Sequence, residues 1–242
     1  MELICAIDLL DGGAVRLVQG DYDRRVSADR DAPSLARHFV TAGCRRLHVI
    51  DLAGARAGRP VQLPLVAEVV AAARAVGPGV RVELGGGLRS QADVDAALDV
   101  VDDVLLGTAA IEDPAFLAAA AARHPGRVGV SLDLRGGVPA LDGWLREGSG
   151  AAVAHARTLL DAGAARLVVT ETSRDGTLAG PDLPALTALR AAFPEAVLVA
   201  AGGVGSLDDL RALRDLRLDG AVVGLALLTG AVDPAEALAV LA

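Results

Sequence analysis

Two aspartates at the ends of apolar segments are suited to acid–base chemistry. Asp8 closes an apolar run near the N-terminus, and Asp133 closes a similar run in the middle of the chain. If such runs are parallel strands of one barrel, the residues at their carboxyl ends face the mouth where ligands bind. Two carboxylates across a substrate can divide the acid and base roles when their surroundings separate their pKa values. Either aspartate alone also fits an N-cap or a turn, but the symmetric pair favours catalysis.

Paired glycines follow apolar runs in both halves of the chain, and each pair is followed by a helix-like segment and a further apolar run that ends in glycine. The positions are Gly86, Gly87, Gly107 and Thr108 in the first half and Gly202, Gly203, Gly224 and Leu225 in the second. Bare backbone N–H groups beside a helix N-terminus bind phosphate. A structural turn competes with this interpretation for each pair alone. We call each of these two sets of residues a glycine cradle. Two cradles predict a ligand with two phosphate groups.

Strand-like and helix-like segments alternate along the chain, which indicates βαβ units and a parallel sheet. The length of 242 residues is close to the roughly 250 of a (β/α)8 TIM barrel. No linker interrupts the alternation, so a single domain is expected over residues 1–242, with the polar stretch 19–31 as a mobile lid loop. The predicted strands are 3–7, 46–51, 81–84, 103–106, 128–133, 166–171, 196–201 and 220–223. The predicted helices are 33–42, 63–75, 91–99, 114–123, 150–162, 183–192, 207–214 and 234–241.

Segments of the first half resemble segments of the second at a spacing close to half the chain length. Residues 42–49 resemble 162–169, and residues 6–8 resemble 131–133. The two pairs of glycine segments follow the same spacing. Chance similarity explains any one match but poorly explains four in register. The pattern therefore predicts a barrel built from two duplicated half-barrels.

Composition narrows the class of function. A net charge of −8 and an aromatic content of 2% disfavour nucleic-acid and membrane surfaces, but they do not exclude a small anionic ligand. Without a signal peptide or a membrane-spanning apolar run, the location is expected to be cytoplasmic. Cys5 and Cys44 are then expected to be separate buried thiols. The residues form no metal-ligand cluster, dinucleotide fingerprint or Ser–His–Asp set, so neither metal nor cofactor is expected.

Other polar residues are predicted to lie near the mouth. Thr170 offers a hydroxyl at the end of the sixth predicted strand, and Asp175 begins an Asp-Gly turn after it. Asp51 ends the second predicted strand and is expected to point to the mouth. Trp144 follows the fifth strand, where stacking on a planar ligand group and burial in the core are both open. His48 is expected to be a satisfied histidine of the barrel.

These motifs together resemble the ProFAR isomerase family of histidine biosynthesis over essentially the whole chain. The matching stretches are 6–22, 48–55, 85–90, 131–137, 143–144, Thr170 with 174–180, and 201–203. The resemblance implies an Amadori rearrangement, in which an aminoaldose bearing a ribosyl 5-phosphate becomes an aminoketose without metal or organic cofactor. It also implies a small-molecule bisphosphate substrate. The enzyme is expected to be a monomer.

The resemblance assigns roles within the site. Asp8 is the base that removes the C2 proton, and Asp133 is the acid at the furanose oxygen, with Asp175 as a rival for that role. Thr170 orients the sugar, and Trp144 stacks on the aminoimidazole. The phosphate and substrate contacts implied are Arg16, Gly20, Asp51, Gly86, Gly87, Arg89, Gly107, Thr108, Gly176, Gly202, Gly203, Gly224 and Leu225.

Four positions bear on the substrate. The family usually has Arg or Lys where this chain has Leu225, so a side-chain cation is lost at one phosphate site. Glu83 replaces the usual Gln, as in dual-substrate relatives that also isomerise phosphoribosylanthranilate. Those relatives typically have Ser in place of Gly85 and Arg in place of Asp142, and an acidic residue there disfavours the anthranilate carboxylate. The histidine substrate alone is therefore favoured.

Three other functions remain as alternatives to that assignment. The first is the dual-substrate isomerase. The second is the homologous cyclase subunit of imidazole glycerol phosphate synthase, although Arg16 in its segment fits the isomerase better than the lysine-bearing motif of the cyclase. The third is a non-catalytic bisphosphate-binding barrel.

Overall fold

A computed structural model describes residues 1–242, apart from the side chain of Ser27. The strands are β1 (Glu2–Leu10), β2 (Gly13–Val18), β3 (Asp21–Ser27), β4 (Arg46–Asp51), β5 (Arg81–Gly85), β6 (Asp103–Leu106), β7 (Val128–Arg135), β8 (Val138–Leu141), β9 (Arg146–Glu147), β10 (Leu167–Glu171), β11 (Leu198–Ala201) and β12 (Gly220–Val223). The helices are α1 (Ala32–Thr41), α2 (Leu52–Ala57), α3 (Leu63–Val76), α4 (Gln91–Leu98), α5 (Thr108–Glu112), α6 (Pro114–Arg123), α7 (Ala152–Asp161), α8 (Leu183–Ala192), α9 (Leu207–Asp215), α10 (Leu225–Leu228) and α11 (Pro234–Leu241).

Eight of the strands close into a parallel barrel. Their order is β1, β4, β5, β6, β7, β10, β11 and β12, and β12 pairs with β1 to complete the circle. Valine, leucine and alanine fill both faces of these strands, because the barrel interior and the surrounding helices exclude water from both sides. The predicted (β/α)8 barrel is confirmed, while the duplication of a half-barrel stays a prediction.

Although α3 and α7 have no side-chain cap, short polar side chains begin most of the helices that surround the barrel. Each accepts a hydrogen bond from a backbone N–H of the first turn, which satisfies a donor that the helix itself leaves unpaired. These caps are Asp31, Ser90, Asp113, Asp182, Ser206 and Asp233. None of the helices in the described chain is long and apolar enough to cross a membrane.

Two antiparallel hairpins extend from barrel strands at the carboxyl end. Strands β1, β2 and β3 form one extension, and β7, β8 and β9 form the other. The prediction that residues 19–31 form a loop is therefore wrong in part, because Asp21–Ser27 pairs with β2 as a strand. Its side chains are mostly polar and exposed, so it lacks the apolar pattern by which the buried strands were predicted.

The two cysteines are paired, contrary to the prediction of separate thiols. Cys5 lies in β1, and Cys44 lies two residues before the neighbouring strand β4, so the parallel register brings them together. Their Cα atoms are 6.8 Å apart, and they form a disulfide. Both side chains are buried, as predicted.

Candidate active site

A cavity of about 190 Å³ opens at the carboxyl ends of the barrel strands. Most of the residues that the sequence singled out line it, although they come from four strands, one short helix and the loops between them. They are Asp8, Arg16, Gly20, Gly86, Gly87, Arg89, Gly107, Thr108, Asp133, Trp144, Thr170 and Asp175. The cavity thus brings both strand-end aspartates and one glycine cradle into a single space.

One arginine bridges two of the cavity's carboxylates. Arg16, on β2, donates from Nη1 to Asp8 Oδ2 at 2.8 Å and from Nη2 to Asp175 Oδ1 at 2.6 Å. All three side chains are largely buried. Because the guanidinium is shared, the two carboxylates together carry one more negative charge than the arginine neutralises.

Neutral donors surround the other aspartate. Ser131, two residues earlier on β7, donates to Asp133 Oδ1 at 2.8 Å, and Trp144 Nε1 donates to Oδ2 at 2.8 Å. Thr170 lies directly opposite Asp133 in the pairing of β7 with β10. The indole is therefore held over the cavity by its own hydrogen bond, and it is placed to cover a ligand.

Both strand-end aspartates hold their protons more tightly than an ordinary aspartate. Burial raises the pKa of Asp8, against the opposing effect of the Arg16 charge, and the nearby charge of Asp175 raises it further. Burial also raises the pKa of Asp133, against the hydrogen bonds from Trp144 and Ser131. Only Asp8 faces a cation, so the two carboxyl groups have different surroundings, as division of acid and base roles requires.

The first glycine pair has a conformation that other residues rarely adopt. Gly86 has φ +105° and Gly87 has φ +79°. A Cβ on Gly86 would overlap the backbone of Asp51, and one on Gly87 would overlap the backbone of Gly54 and Arg59. Glycine is thus required both by the backbone angles and by close contact with the preceding loop.

Each cradle ends at a short helix with an open N-terminus. Helix α5 begins after Gly107 and α10 begins after Gly224, and neither glycine position supplies a side-chain cap. The first-turn N–H groups are therefore free to bind an anion. Thr108 contributes a hydroxyl at the first of these helices, where it accepts a hydrogen bond from Asp142 N at 2.8 Å.

The second cradle lies in a much smaller neighbouring cavity of about 10 Å³. Its lining includes the predicted residues Gly176, Gly202, Gly203, Gly224 and Leu225. Arg16 and Asp175 line both cavities, so their side chains stand at the boundary. The guanidinium of Arg16 lies against Gly224, and its buried Nε has no hydrogen-bond partner among the described residues. A cation is therefore present at this cradle even though Leu225 supplies none.

Asp51 is the predicted site residue that lines neither cavity. Its carboxylate is fully buried and accepts hydrogen bonds from the backbone N–H groups of Gly54, Val61 and Gln62. It also begins helix α2. These contacts give Asp51 a structural role, since it fixes the loop on which the first glycine pair rests.

Sequence reasoning did not single out Ser131 or Tyr22, and both line the cavity. Ser131 lies on the same face of β7 as Asp133, and the two-residue period of a strand is a signal that would have found it. Tyr22 lies on β3, and its hydroxyl donates to the Leu52 carbonyl at 3.0 Å. No motif marked Tyr22, because β3 itself was not predicted.

Comparison with known proteins gives consistent similarities. A family model described as histidine biosynthesis protein matches residues 2–233. The chain is 46% identical to a Rhodospirillum rubrum protein over the full length of both, and 48% identical to a Sorangium cellulosum protein with 98% of each covered. It is 44% identical to a Synechococcus elongatus protein, covering 98% of this chain and 92% of that one. Each relative is named a 1-(5-phosphoribosyl)-5-((5-phosphoribosylamino)methylideneamino) imidazole-4-carboxamide isomerase.

Proposed function

The chain belongs to the histidine biosynthesis protein family, and we propose that it isomerises the aminoaldose ProFAR to the aminoketose PRFAR. The Rhodospirillum and Sorangium relatives are named as this isomerase, and the similarity covers 98% or more of each of them. The observation that carries the proposal for this chain is the position of Asp8 and Asp133. Both line one cavity at the carboxyl end of the barrel, and each half of that end has a glycine cradle.

Asp133 acts as the acid in the proposed mechanism. It gives its proton to the furanose oxygen as the bond from that oxygen to C1 breaks, which leaves a protonated C1–nitrogen imine and a new hydroxyl group. Its raised pKa keeps a proton available, and no cation faces it to favour ionisation. Asp175 is the alternative acid, and it accepts a hydrogen bond from Arg16.

Asp8 acts as the base. It removes the C2 proton of the imine, and the electron pair moves through C1 to nitrogen to give an enol-amine. Transfer of a proton to C1 and loss of the C2 hydroxyl proton then produce the ketose, so that no atoms are gained or lost. Arg16 supports this role because its charge stabilises the Asp8 carboxylate before the proton is removed.

The two cradles bind the two phosphate groups in this proposal. Backbone N–H groups at Gly86, Gly87 and the start of α5 hold one phosphate, with Arg89 nearby. Those at Gly202, Gly203 and the start of α10 hold the other, next to Arg16. Trp144 covers the planar imidazole, and Thr170 orients the sugar. Because the two cradles hold both ends of the substrate, they fix the reacting ribose between Asp8 and Asp133.

The test is turnover of ProFAR by the purified chain and by the variant Asp8→Asn, followed by chromatographic separation of the aldose and ketose. We expect the wild type to form PRFAR and the variant to lose about 10²–10⁴-fold in kcat, the range for loss of a general base. Asp11→Asn is a matched control, since Asp11 is exposed in the turn after the same strand. Unchanged turnover by the Asp8 variant would rule out the assigned base.

The dual-substrate alternative is tested in the same way with phosphoribosylanthranilate. The names of the relatives specify the imidazole carboxamide substrate. In this chain Asp142 binds Arg89 at 3.4 Å and Arg146 at 2.8 Å, next to the cavity-lining Gly143. The Asp142 carboxylate repels the single carboxylate of the anthranilate substrate, so we expect no appreciable turnover of phosphoribosylanthranilate. The monomeric state, single domain and cytoplasmic location stay predictions, as does the lack of a cofactor.

A further inference from the structure

His48 is a histidine of the barrel interior with one nitrogen committed and the other open to the cavity. Its Nδ1 lies 2.7 Å from Glu83 Oε1, and the two residues are direct partners in the pairing of β4 with β5. Nε2 has no hydrogen-bond partner among the described residues, while the side chain lines the main cavity. The expectation that His48 has its hydrogen-bond partners within the barrel therefore holds for Nδ1 and not for Nε2.

The surroundings of Glu83 determine which nitrogen of His48 carries the proton. Glu83 is completely buried, and its second oxygen accepts a hydrogen bond from Arg166 Nη2 at 2.8 Å, with Arg46 3.6 Å away. Burial alone raises the pKa of Glu83, but the bond to His48 and the arginine charges outweigh it and lower the pKa. An ionised carboxylate has no proton to donate, so Nδ1 must be the donor. In the neutral ring, Nε2 is then an acceptor.

The position of His48 places that acceptor below the reacting groups. In the barrel register His48 is opposite Ala6, and Ile50 is opposite Asp8, so His48 lies one layer deeper than the base. A ligand held between Asp8 and Asp133 rests above this layer. A sugar presents hydroxyl groups there, and each hydroxyl needs an acceptor for its proton once water is displaced.

We propose that His48 Nε2 accepts a hydrogen bond from a ribose hydroxyl of the substrate, and that Glu83 is the positioning residue that fixes the His48 tautomer. The inference rests on the proposed function, because it names a further contact in the same site. It also makes residue 83 a determinant of polarity in the cavity floor, although Glu83 itself does not line the cavity.

The substitution Glu83→Gln reverses that polarity without changing the size of the side chain. Arg166 donates toward one end of residue 83, so a glutamine there turns its oxygen to Arg166 and its NH2 to His48. Nδ1 then becomes the acceptor, and Nε2 carries the proton. The cavity floor would present a donor in place of an acceptor.

The experiment measures the tautomer and the turnover separately. ¹⁵N NMR of histidine-labelled protein reports which nitrogen of His48 is protonated, and His48→Asn assigns its signal among the four histidines. We expect Nδ1–H in the wild type and Nε2–H in Glu83→Gln. The isomerase family usually has Gln at this position, and a ribose hydroxyl can accept a hydrogen bond as well as donate one. We therefore expect kcat/KM for ProFAR to fall by no more than about fivefold in Glu83→Gln, and by more in His48→Ala, which removes the contact.

A double-variant cycle separates positioning from general structural damage. If Glu83 acts through His48, adding Glu83→Gln to His48→Ala leaves kcat/KM where His48→Ala alone puts it. Asp103→Asn is the matched control, since Asp103 is buried in the same ion cluster with Arg46, Arg81 and Arg166. It is expected to lower the thermal midpoint without changing the tautomer.

Two results would overturn the inference, namely an Nε2–H tautomer in the wild type or additive losses in the double variant. An Nδ1–H tautomer that is retained in Glu83→Gln would contradict the assigned role of Glu83. The tautomer is measured in the free protein, so it stands independently of turnover. Lack of wild-type turnover with the expected tautomers would instead count against the proposed function.

Discussion

Asp133 illustrates how a single buried carboxyl group in the cavity lowers the stability of the fold that holds it. Its pKa in the folded chain lies above the ordinary value, so the folded state binds its proton more tightly than the unfolded state does. Stability from this group is therefore fully present below the unfolded pKa of about 3.9 and is lost as the pH rises through the folded pKa. At neutral pH the residue destabilises the protein.

Asp133→Asn is accordingly expected to be inactive but more stable than the wild type at pH 7. The gain should shrink as the pH approaches 4, where the wild-type carboxyl is protonated as well. Thermal midpoints of the variant and the wild type, measured at several pH values, check this. In a chain of this length, a gain of about 1 kcal/mol in the free energy of unfolding raises the midpoint by about 2–4 °C.

Asp31 provides a control of opposite sign. Its backbone and side-chain bonds with Ser34 at the start of α1 lower its pKa, so its stabilising effect is present above the unfolded pKa and is lost as the pH falls. Asp31→Asn should therefore reduce stability at pH 7 and not at low pH. An Asp133 variant that is less stable than the wild type by the same amount at every pH would contradict the prediction.

The sequence predicted which carboxylates line the cavity better for Asp8 and Asp133 than for Asp51. Asp8 and Asp133 were predictable because residues near the carboxyl ends of the strands in a parallel barrel face the same mouth. Asp51 also ends a strand, but its carboxylate turns back to bind the N–H groups of its own loop. The orientation of the Asp51 carboxylate depends on the path of residues 54–62, which no local sequence pattern specifies.

At the level of elements, the turn between β2 and β3 is packed onto the cavity rim. Gln19 N donates to the Asp175 carbonyl at 3.0 Å, and Gln19 Nε2 donates to the Ser173 carbonyl at 2.7 Å. Gly20 has φ +73° and lies so close to Trp144 that an added Cβ would overlap the indole ring. The turn thereby holds the tryptophan over the cavity.

Gly20→Ala is expected to raise KM by roughly tenfold or more, because it displaces the indole that covers the substrate, as well as straining the backbone by about 1–2 kcal/mol. Gly12→Ala is the matched control. Gly12 has φ +81° in the turn between β1 and β2, and its Cβ would meet nothing within 4 Å. The control should lose similar stability with little change in KM. Equal effects of both substitutions on KM would show that the indole contact does not matter.

Helix α10 offers a gain-of-affinity prediction. It begins at Leu225, beside the second cradle, with no side-chain cap. In Leu225→Arg, a charged donor joins the open N–H groups, and we expect KM to fall by roughly threefold to tenfold at low salt. Thr229→Arg, at the exposed end of the same helix, is the control. The gain should shrink as salt screens the interaction, and an unchanged KM at low salt would refute it.

The predictability of the elements follows their length and burial. Strands β4, β6 and β12 were predicted with their observed bounds, since each is a short, largely apolar segment that is mostly buried. Helices α5 and α10 were missed because four or five residues cannot display a helical period. Their function was nonetheless predicted, since the glycines that precede them are visible in the sequence.

At the scale of the whole molecule, closure of the barrel creates contacts that no segment encodes. Arg16 and Asp175 are 159 positions apart in sequence, yet they share a hydrogen bond of 2.6 Å at the boundary of the two cavities. The repeated spacing predicted that the two halves face each other across the mouth. It did not predict that an arginine from the first half would lie at the cradle of the second. That contact depends on the β2–β3 hairpin, whose strands the periodicity did not reveal.

The disulfide between Cys5 and Cys44 ties the first barrel strand to the start of its neighbour, across a sequence separation of 39. Closing a loop of that length in the unfolded chain stabilises the folded state by about 4 kcal/mol in the chain-entropy model. We therefore expect a reductant to lower the thermal midpoint, and Cys5→Ala/Cys44→Ala to be insensitive to reductant. Thiol titration of the unfolded protein without reductant should find no free thiol. Two titratable thiols in protein purified without reductant would show that the pair remains reduced, as is usual for cytosolic proteins.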